Sequence, residues 1–194
     1  MTHKSTARVI STILSTTPVT AAVVVILAVA NPFSPQAKLA IWQTITTGLA
    51  MLSIAPISAV LYLHWKQHLD LDVSDRRKRP IFFVPALIAY FASAAVFASF
   101  EHKTMYLMSV AYFLVGLAHL GVTMIWKISL HVAGLASPIT ALVFTYGIWL
   151  IPLYALVVLL IWARMKLGAH TLSQAVAGAL MSGFVTFVVY RLLS

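Results

Sequence analysis

The chain has 194 residues, of which 61% are hydrophobic and only 9% are charged, and its mean hydropathy is +0.97. Soluble domains average about 45–50% apolar and about 25% charged residues, so this composition excludes an ordinary soluble protein and predicts an integral membrane protein. The 13 basic residues outnumber the 4 acidic ones, and because they lie between apolar runs they favour lipid headgroups over nucleic acid as partners. Without cysteine, the chain has no disulfides and no thiolate metal sites.

Seven apolar runs predict membrane spans, because each approaches the roughly 20 apolar residues that a span needs. They lie at 9–30, 39–63, 81–99, 105–126, 132–147, 148–163 and 171–192. We expect the first run to be retained as a span, since no small-residue cleavage site precedes its end. The stretch 132–162 is too long for one straight helix, and Gly147 predicts a tight hairpin inside it. The predicted fold is an all-α, polytopic transmembrane bundle of about six to seven spans, with one domain over 1–194.

Three polar loops follow the second, fourth and sixth predicted spans, so all three and the N-terminus share one side of the membrane. They lie around 64–80, 127–131 and 164–170. Residues from these loops can therefore converge on one site. The same side carries most of the basic residues, and the positive-inside rule would place it in the cytoplasm, although phosphate binding explains several of the cations equally well. We expect a multi-pass protein of the cell (inner) membrane.

The first loop, "HWKQHLDLDVSDRRKRP" at 64–80, mixes three acidic and five basic residues. A solvated loop that anchors the next span explains the mixture. Arg76, Lys78 and Arg79 would also suit a phosphate, whose oxygens match the planar donors of arginine. Carboxylates that hold Mg²⁺ against a diphosphate are a third interpretation, although salt bridges within the loop explain the same residues more simply.

The other two loops carry histidines. The segment "WKISLHVAG" at 126–134 contains Ser129 and His131, which as a single pair are also typical of an interfacial loop. The segment "ARMKLGAHTLSQ" at 163–174 contains Arg164, His170 and Gln174. Because His170 and Gln174 are four residues apart, a helix would put them on one face, where the Gln amide can reach an imidazole nitrogen. The small residues that follow favour close helix packing and a buried Gln174.

Together the three segments resemble the signature motifs of the type-2 phosphatidic acid phosphatase superfamily, which includes lipid phosphatases, polyprenyl diphosphate phosphatases and vanadium haloperoxidases. The third motif matches best: Arg164, five residues, His170, three residues, and then Gln174 where the family has Asp. The second, usually Pro-Ser-Gly-His, is Ile-Ser-Leu-His and ends at His131. The first keeps Arg79-Pro80 but has Asp72 where the family has Lys. The resemblance covers about 64–185.

The resemblance implies a role for each matched residue. His170 would be the nucleophile that takes the phosphoryl group, and His131 the general acid that protonates the leaving oxygen. Phosphate oxygens would be bound by Arg164 and Arg79, joined by Arg76 or Lys78, with a hydrogen bond from Ser129. These roles agree with the chemistry, since phosphoryl transfer needs positioned cations and histidine titrates near neutral pH. No cofactor and no metal are implied.

Two of the departures from the family pattern bear most on activity. Lys66, Lys78 or Lys127 could replace the missing lysine of the first motif. Gln174 could still accept a hydrogen bond from the His170 ring and keep its orientation, but it lacks the charge of Asp. The resemblance thus implies either a working site with a weaker transition-state contact or a site that has lost its activity, and we favour the former.

The short loops favour an amphiphilic substrate whose tail stays in the membrane, such as an isoprenoid or glycerolipid mono- or diphosphate. The expected partners are therefore membrane lipid and a lipid phosphate, with no nucleic acid. The main alternative is a non-enzymatic membrane protein, a transporter or assembly factor with a degenerate phosphatase site. A second alternative is haem binding by two histidines, which would require His119 as a ligand; a hydrogen bond from His119 to a neighbouring helix explains that residue more simply.

Overall fold

The computed structural model describes residues 3–67 and 79–194, and every regular element in this part of the chain is helical. The helices are α1 (His3–Ile13), α2 (Thr16–Val29), α3 (Ile41–Gly48), α4 (Ala55–Gln67), α5 (Arg79–Ser99), α6 (Lys103–Ile125), α7 (Leu130–Tyr146), α8 (Tyr154–Lys166) and α9 (Leu172–Leu193). A π-helical stretch, Leu49–Ile54, joins α3 to α4, and a 3₁₀ stretch, Ile148–Leu153, precedes α8. The predicted all-α class is confirmed.

Four helical segments are long and apolar enough to cross a membrane: Ile41–Lys66, Lys103–Ile125, Ile148–Lys166 and Leu172–Leu193. The pair α1 and α2, bent by 42° at Leu14 and Ser15, makes a fifth if it is counted as one span. Helices α5 and α7 are apolar but present shorter stretches. Large apolar side chains such as Ile88 and Phe184 point outwards from the bundle, as expected where lipid replaces water as the solvent.

Gly147 separates α7 from the segment that leads into α8, which confirms the predicted division of the stretch 132–162. Its φ of +116° lies in a region that residues other than glycine rarely adopt. An added Cβ would also lie 3.1 Å from the Trp149 ring. Pro138 lies inside α7 rather than at the break. The helical chain is therefore interrupted at Gly147, and α7 and α8 contact each other and contribute to the same core cluster.

The π-helical stretch ends two residues before Pro56. Proline has no N–H and its ring collides with the carbonyl four residues earlier in a regular α-helix, and a wider turn at Leu49–Ile54 accommodates it. Gly48 begins this region against α2 and α6, where an added Cβ would lie 2.7 Å from Val24 and 2.8 Å from Met105. Close contact with two neighbouring helices therefore fixes this bent segment in the bundle.

Helix α5 packs mainly on α6, and α7 mainly on α9. At the end of the bundle where α6 begins, a polar cluster ties the loop after α2 to α6. Asn31 donates to the Ser34 carbonyl (2.9 Å), lies 3.3 Å from Nε2 of His102, and accepts from the Thr104 hydroxyl. His102 is the N-cap of α6 and accepts from the Met105 N–H at 3.4 Å. We call these residues (Asn31, Ser34, His102 and Thr104) the capping cluster.

Candidate functional site

A cavity of about 370 Å³ lies between α2, α4, α5, α6 and α7. His119, His131 and His170 all line it, and we call it the histidine cavity. Its volume lies within the range of about 300–1,000 Å³ that is typical of small-ligand sites. Two of the three histidines are those that the motif comparison singled out, so residues from two separate predicted loops meet at one internal space.

Each of the two motif histidines lies beside the start of a helix. His131 is in the first turn of α7, and His170 immediately precedes Thr171, the N-cap of α9. Gly168, with φ +68°, ends α8, and the N–H of Ala169 donates to the carbonyl of Arg164 at 3.0 Å. This left-handed turn is a common way to end a helix, and it returns the chain towards the cavity, where His170 is only 9% exposed.

The second and third motif segments are in direct contact. The backbone N–H of Ser129 donates to the backbone carbonyl of Gln174 at 3.3 Å. The approach depends on Gly178, because an added Cβ there would lie 2.7 Å from the carbonyl oxygen of Ser129. Ser129 is fully buried, and its hydroxyl has no hydrogen-bond partner in the described part of the chain. A buried polar atom in that state is uncommon in folded proteins.

Gln174 has a structural role at the start of α9. Its Oε1 accepts from the N–H of Thr171 at 3.1 Å, while its own N–H donates to the Thr171 hydroxyl at 3.3 Å. This reciprocal pair is a capping box, for which Gln and Glu are the usual residues at the third helical position. The capping box accounts for Gln174 without any contribution to catalysis, and its predicted contact with the His170 ring stays a prediction.

Arg164 is buried in the last turn of α8 and is 3% exposed. Its Nη1 donates to the hydroxyl of Ser11 in α1 at 3.0 Å, and Ser11 is also buried. Arg164 lies beside the turn that carries His170 but is not among the described residues that line the histidine cavity. Its predicted contact with phosphate therefore stays a prediction, whereas its contact with α1 is a feature that the sequence did not indicate.

The first motif lies largely outside the described residues. Arg76 and Lys78 belong to the part that is not described, and Arg79 is described only as the first residue of α5. Their predicted role at a phosphate stays a prediction. Lys66, one candidate for the missing lysine of the first motif, is exposed near the end of α4 and donates to the hydroxyl of Tyr62 at 3.1 Å.

The start of α2 was not predicted to contribute to the site. Ser15, Thr16 and Thr17 line the histidine cavity, and the N-terminus of a helix carries a partial positive charge that favours anions. Gly134 of α7 allows this approach, since an added Cβ would lie 2.1 Å from the Thr16 hydroxyl. The sequence did contain a signal: Ser-Thr-Thr-Pro is a helix-start pattern placed inside an apolar run.

His119 lies deeper in the cavity wall, on α6. Its Nδ1 is 2.9 Å from the carbonyl of Val115, so the proton of a neutral ring lies on Nδ1. That carbonyl belongs to its own helix, and the expected bond from His119 to a neighbouring helix stays a prediction. Among the described residues, no group of three or more His, Cys, Asp or Glu side chains could hold a metal ion.

Many of the residues that line the cavity are apolar. Tyr112 lies two turns before His119, about 10 Å further along α6, and its ring packs edge-on against Tyr90 at 5.3 Å. The lining also includes Val60, Leu61, Phe83, Leu87 and Val115. The cavity thus combines histidines, serines and threonines with aliphatic and aromatic side chains.

Comparisons of the chain with models of protein families, with curated proteins and with solved structures found no match.

Proposed function

We propose that the chain is an integral-membrane lipid phosphatase, a divergent member of the type-2 phosphatidic acid phosphatase superfamily. It would hydrolyse the phosphate or diphosphate of an isoprenoid or glycerolipid through a phospho-histidine intermediate. The observation that carries the proposal is that His131 and His170, which lie on different helix starts, line one cavity. The backbone contact between Ser129 and Gln174 joins the same two motif segments.

In the proposed reaction a ring nitrogen of His170 attacks phosphorus, and the P–N bond forms as the P–O bond to the lipid breaks. His131 gives its proton to the departing oxygen, so the lipid leaves as an alcohol, or as a monophosphate when the substrate is a diphosphate. Water then attacks the phospho-histidine and loses a proton to His131. The electron pair of the P–N bond returns to His170, and inorganic phosphate is released. Histidines suit both roles because they titrate near neutral pH.

The negative charge of the phosphoryl group needs positive partners. The proposal assigns this role to Arg164, Arg79, Arg76 and Lys78, with the buried hydroxyl of Ser129 as a further donor. The N-terminus of α2 adds a fixed partial positive charge beside the cavity. The assignment of Arg164 requires its guanidinium, which has five N–H donors, to serve phosphate and Ser11 together.

The apolar part of the cavity supports a lipid substrate over a soluble phosphate ester. An amphiphile could place its phosphate near His131 and His170 and the start of its tail along the aliphatic wall towards Tyr112. The proposal includes about seven spans, with α2, α5 and α7 counted as spans and with α1 leading into the first of them. It places this multi-pass protein in the cell (inner) membrane, with the histidine-bearing loops on the cytoplasmic side.

The decisive experiment is a substrate panel on the purified protein in detergent, with a chelator present. We expect release of phosphate from isoprenyl diphosphates or phosphatidic acid, and no release by the His170→Ala variant at an unchanged melting temperature. His3→Ala is the matched control, because His3 is an exposed histidine of α1 outside the cavity lining. If His170→Ala were as active as the parent, the assignment of the nucleophile would be wrong. No release from any substrate by the parent would favour the non-enzymatic alternative.

A further inference from the structure

Helix α1 presents three distinct faces. Ala7 and Ser11 are buried against the bundle, where α1 packs on α8. Lys4, Arg8 and Thr12 follow one another at intervals of four, so they form one stripe on the helix surface, and all three are exposed. The helix sequence contains no acidic residue. The stripe of Lys4, Arg8 and Thr12, which we call the basic stripe, is thus positively charged without compensation within α1.

A third face of α1 is apolar and exposed. Val9 is 47% and Ile13 is 62% exposed, and on a helical projection they lie opposite the buried Ala7 and Ser11, with Val9 next to Thr12 of the basic stripe. An exposed apolar strip next to a basic one, on a helix of low overall hydrophobicity, is the pattern of helices that lie at a membrane surface. The long stems of Lys and Arg can cover apolar surface while their charges reach the headgroups.

The position of α1 agrees with such a surface. The helix departs from α2 by 42°, and its buried Ser11 contacts Arg164 in the last turn of α8. Because α8 ends two residues later at Lys166, α1 lies beside the end of a candidate span. With 11 residues, α1 is about 16 Å long and is too short to cross a bilayer by itself.

We infer that α1 is an interfacial helix whose basic stripe binds the headgroups of anionic phospholipids, with Val9 and Ile13 in the adjacent acyl-chain region. Charge complementarity identifies this partner, since a cation near an anionic leaflet is stabilised by about 1 kcal/mol. The buried face of α1 adjoins the stripe and contacts Arg164 through Ser11, so the same helix carries the lipid contact and a contact to the third motif. The lipid contact is independent of whether the cavity hydrolyses phosphate.

The absence of cysteine allows a direct test. A Thr12→Cys variant carries a single fluorophore on the basic stripe, and the full chain is reconstituted in phosphatidylcholine vesicles. Quenching by trace phosphatidylglycerol with a nitroxide near its headgroup is compared with quenching by the matched phosphatidylcholine. We expect stronger quenching by the anionic lipid, by up to about fivefold for each of the two cations. Salt at about 1 M should reduce this selectivity, because it shortens the screening length to about 3 Å.

Variants of the basic stripe test whether its two cations cause the selectivity for the anionic lipid. Lys4→Gln with Arg8→Gln should remove the selectivity, Lys4→Arg with Arg8→Lys should retain it, and Lys103→Gln at the start of α6 should not affect it. Because Lys4 and Arg8 are exposed, these changes leave the fold intact, and the melting temperature checks this. Equal quenching by the two lipids in the parent, weak quenching by both, or selectivity that survives loss of both cations would overturn the inference.

Discussion

The two ends of the bundle use similar residues in different ways. In the capping cluster, Asn31, His102 and Thr104 bond to one another and to the start of α6. At the other end, His131 and His170 line a cavity, and the nearby Ser129 hydroxyl has no partner among the described residues. Polar groups that satisfy one another stabilise a fold, whereas polar groups arranged around a space are typical of a ligand site. The comparison predicts that substitutions at one end affect stability and that substitutions at the other affect turnover.

After the loss of activity expected for His170→Ala, the next largest effect belongs to His131 at the cavity end. His131→Ala should lower turnover of a lipid phosphate by about 10²–10⁴-fold, the usual contribution of a general acid, with little change in melting temperature. Turnover of an aryl phosphate, whose leaving group needs no proton, should fall much less. The measurement is the rate with both substrates. An equal loss with the two substrates would contradict the role of His131 as an acid.

Gly178 connects the two motif segments, and its substitution should disturb the cavity end as a whole. Gly178→Ala places a Cβ 2.7 Å from the Ser129 carbonyl, and such overpacking costs about 1–3 kcal/mol. We expect a lower melting temperature together with lower activity. The matched control is Gly121→Ala on α6, where no atom lies within 4 Å of the added Cβ. Equal melting temperatures for the two variants would argue against the close approach.

The capping cluster should make stability depend on pH. Burial lowers the pKa of His102 below its ordinary value of 6.5, so the folded state binds this proton less readily than the unfolded state. The contribution of neutral His102 to the free energy of unfolding is therefore complete above pH 6.5. It is lost as the pH falls from there through the lower pKa of the folded state. His102→Asn keeps a good N-cap without a titrating ring. Melting temperatures measured from pH 8 to pH 5 should fall less in this variant, and an identical fall would exclude His102 as a contributor.

The smallest effect should come from Gln174→Glu, which keeps the capping box at the start of α9. If Gln174 also orients His170, the added charge should hold turnover steady or raise it, because a carboxylate stabilises an imidazolium better than an amide does. Gln174→Ala is the contrasting variant and should cost about 1 kcal/mol of stability through loss of the hydrogen bond from the Thr171 N–H. A strong fall in turnover for Gln174→Glu would argue against an orienting role.

The sequence predicted the elements well and their mutual positions only in part. Apolar runs indicated the helices because hydropathy is a local property, and Gly147 indicated the hairpin because its backbone conformation is local too. The alternation of spans correctly brought the segments of His131 and His170 to one end. Alternation predicts which end of the bundle a residue occupies, but not which neighbours it has there.

The sequence did not predict the contacts that depend on how helices interlock. The hydrogen bond between Ser11 and Arg164 joins positions near opposite ends of the chain, and no hydropathy pattern specifies such a pair. The apolar run 9–30 also concealed the break at Ser15, since the run continues across it and only the helix-start residues mark it. The approach of Gly178 to Ser129 likewise depends on interhelical distance, which composition does not determine.

The π-helical stretch Leu49–Ile54 has a consequence for the shape of the cavity. A wide turn holds one more residue than the α-helical turn it replaces, so it rotates everything that follows by about 100° relative to a regular helix. In this rotated orientation α4 lines the cavity with Pro56, Ile57, Val60 and Leu61. Deletion of one residue from the stretch would turn that side of α4 away and bring different side chains to the wall. The lining of the cavity on this side is thus set by a count of residues as well as by their chemistry.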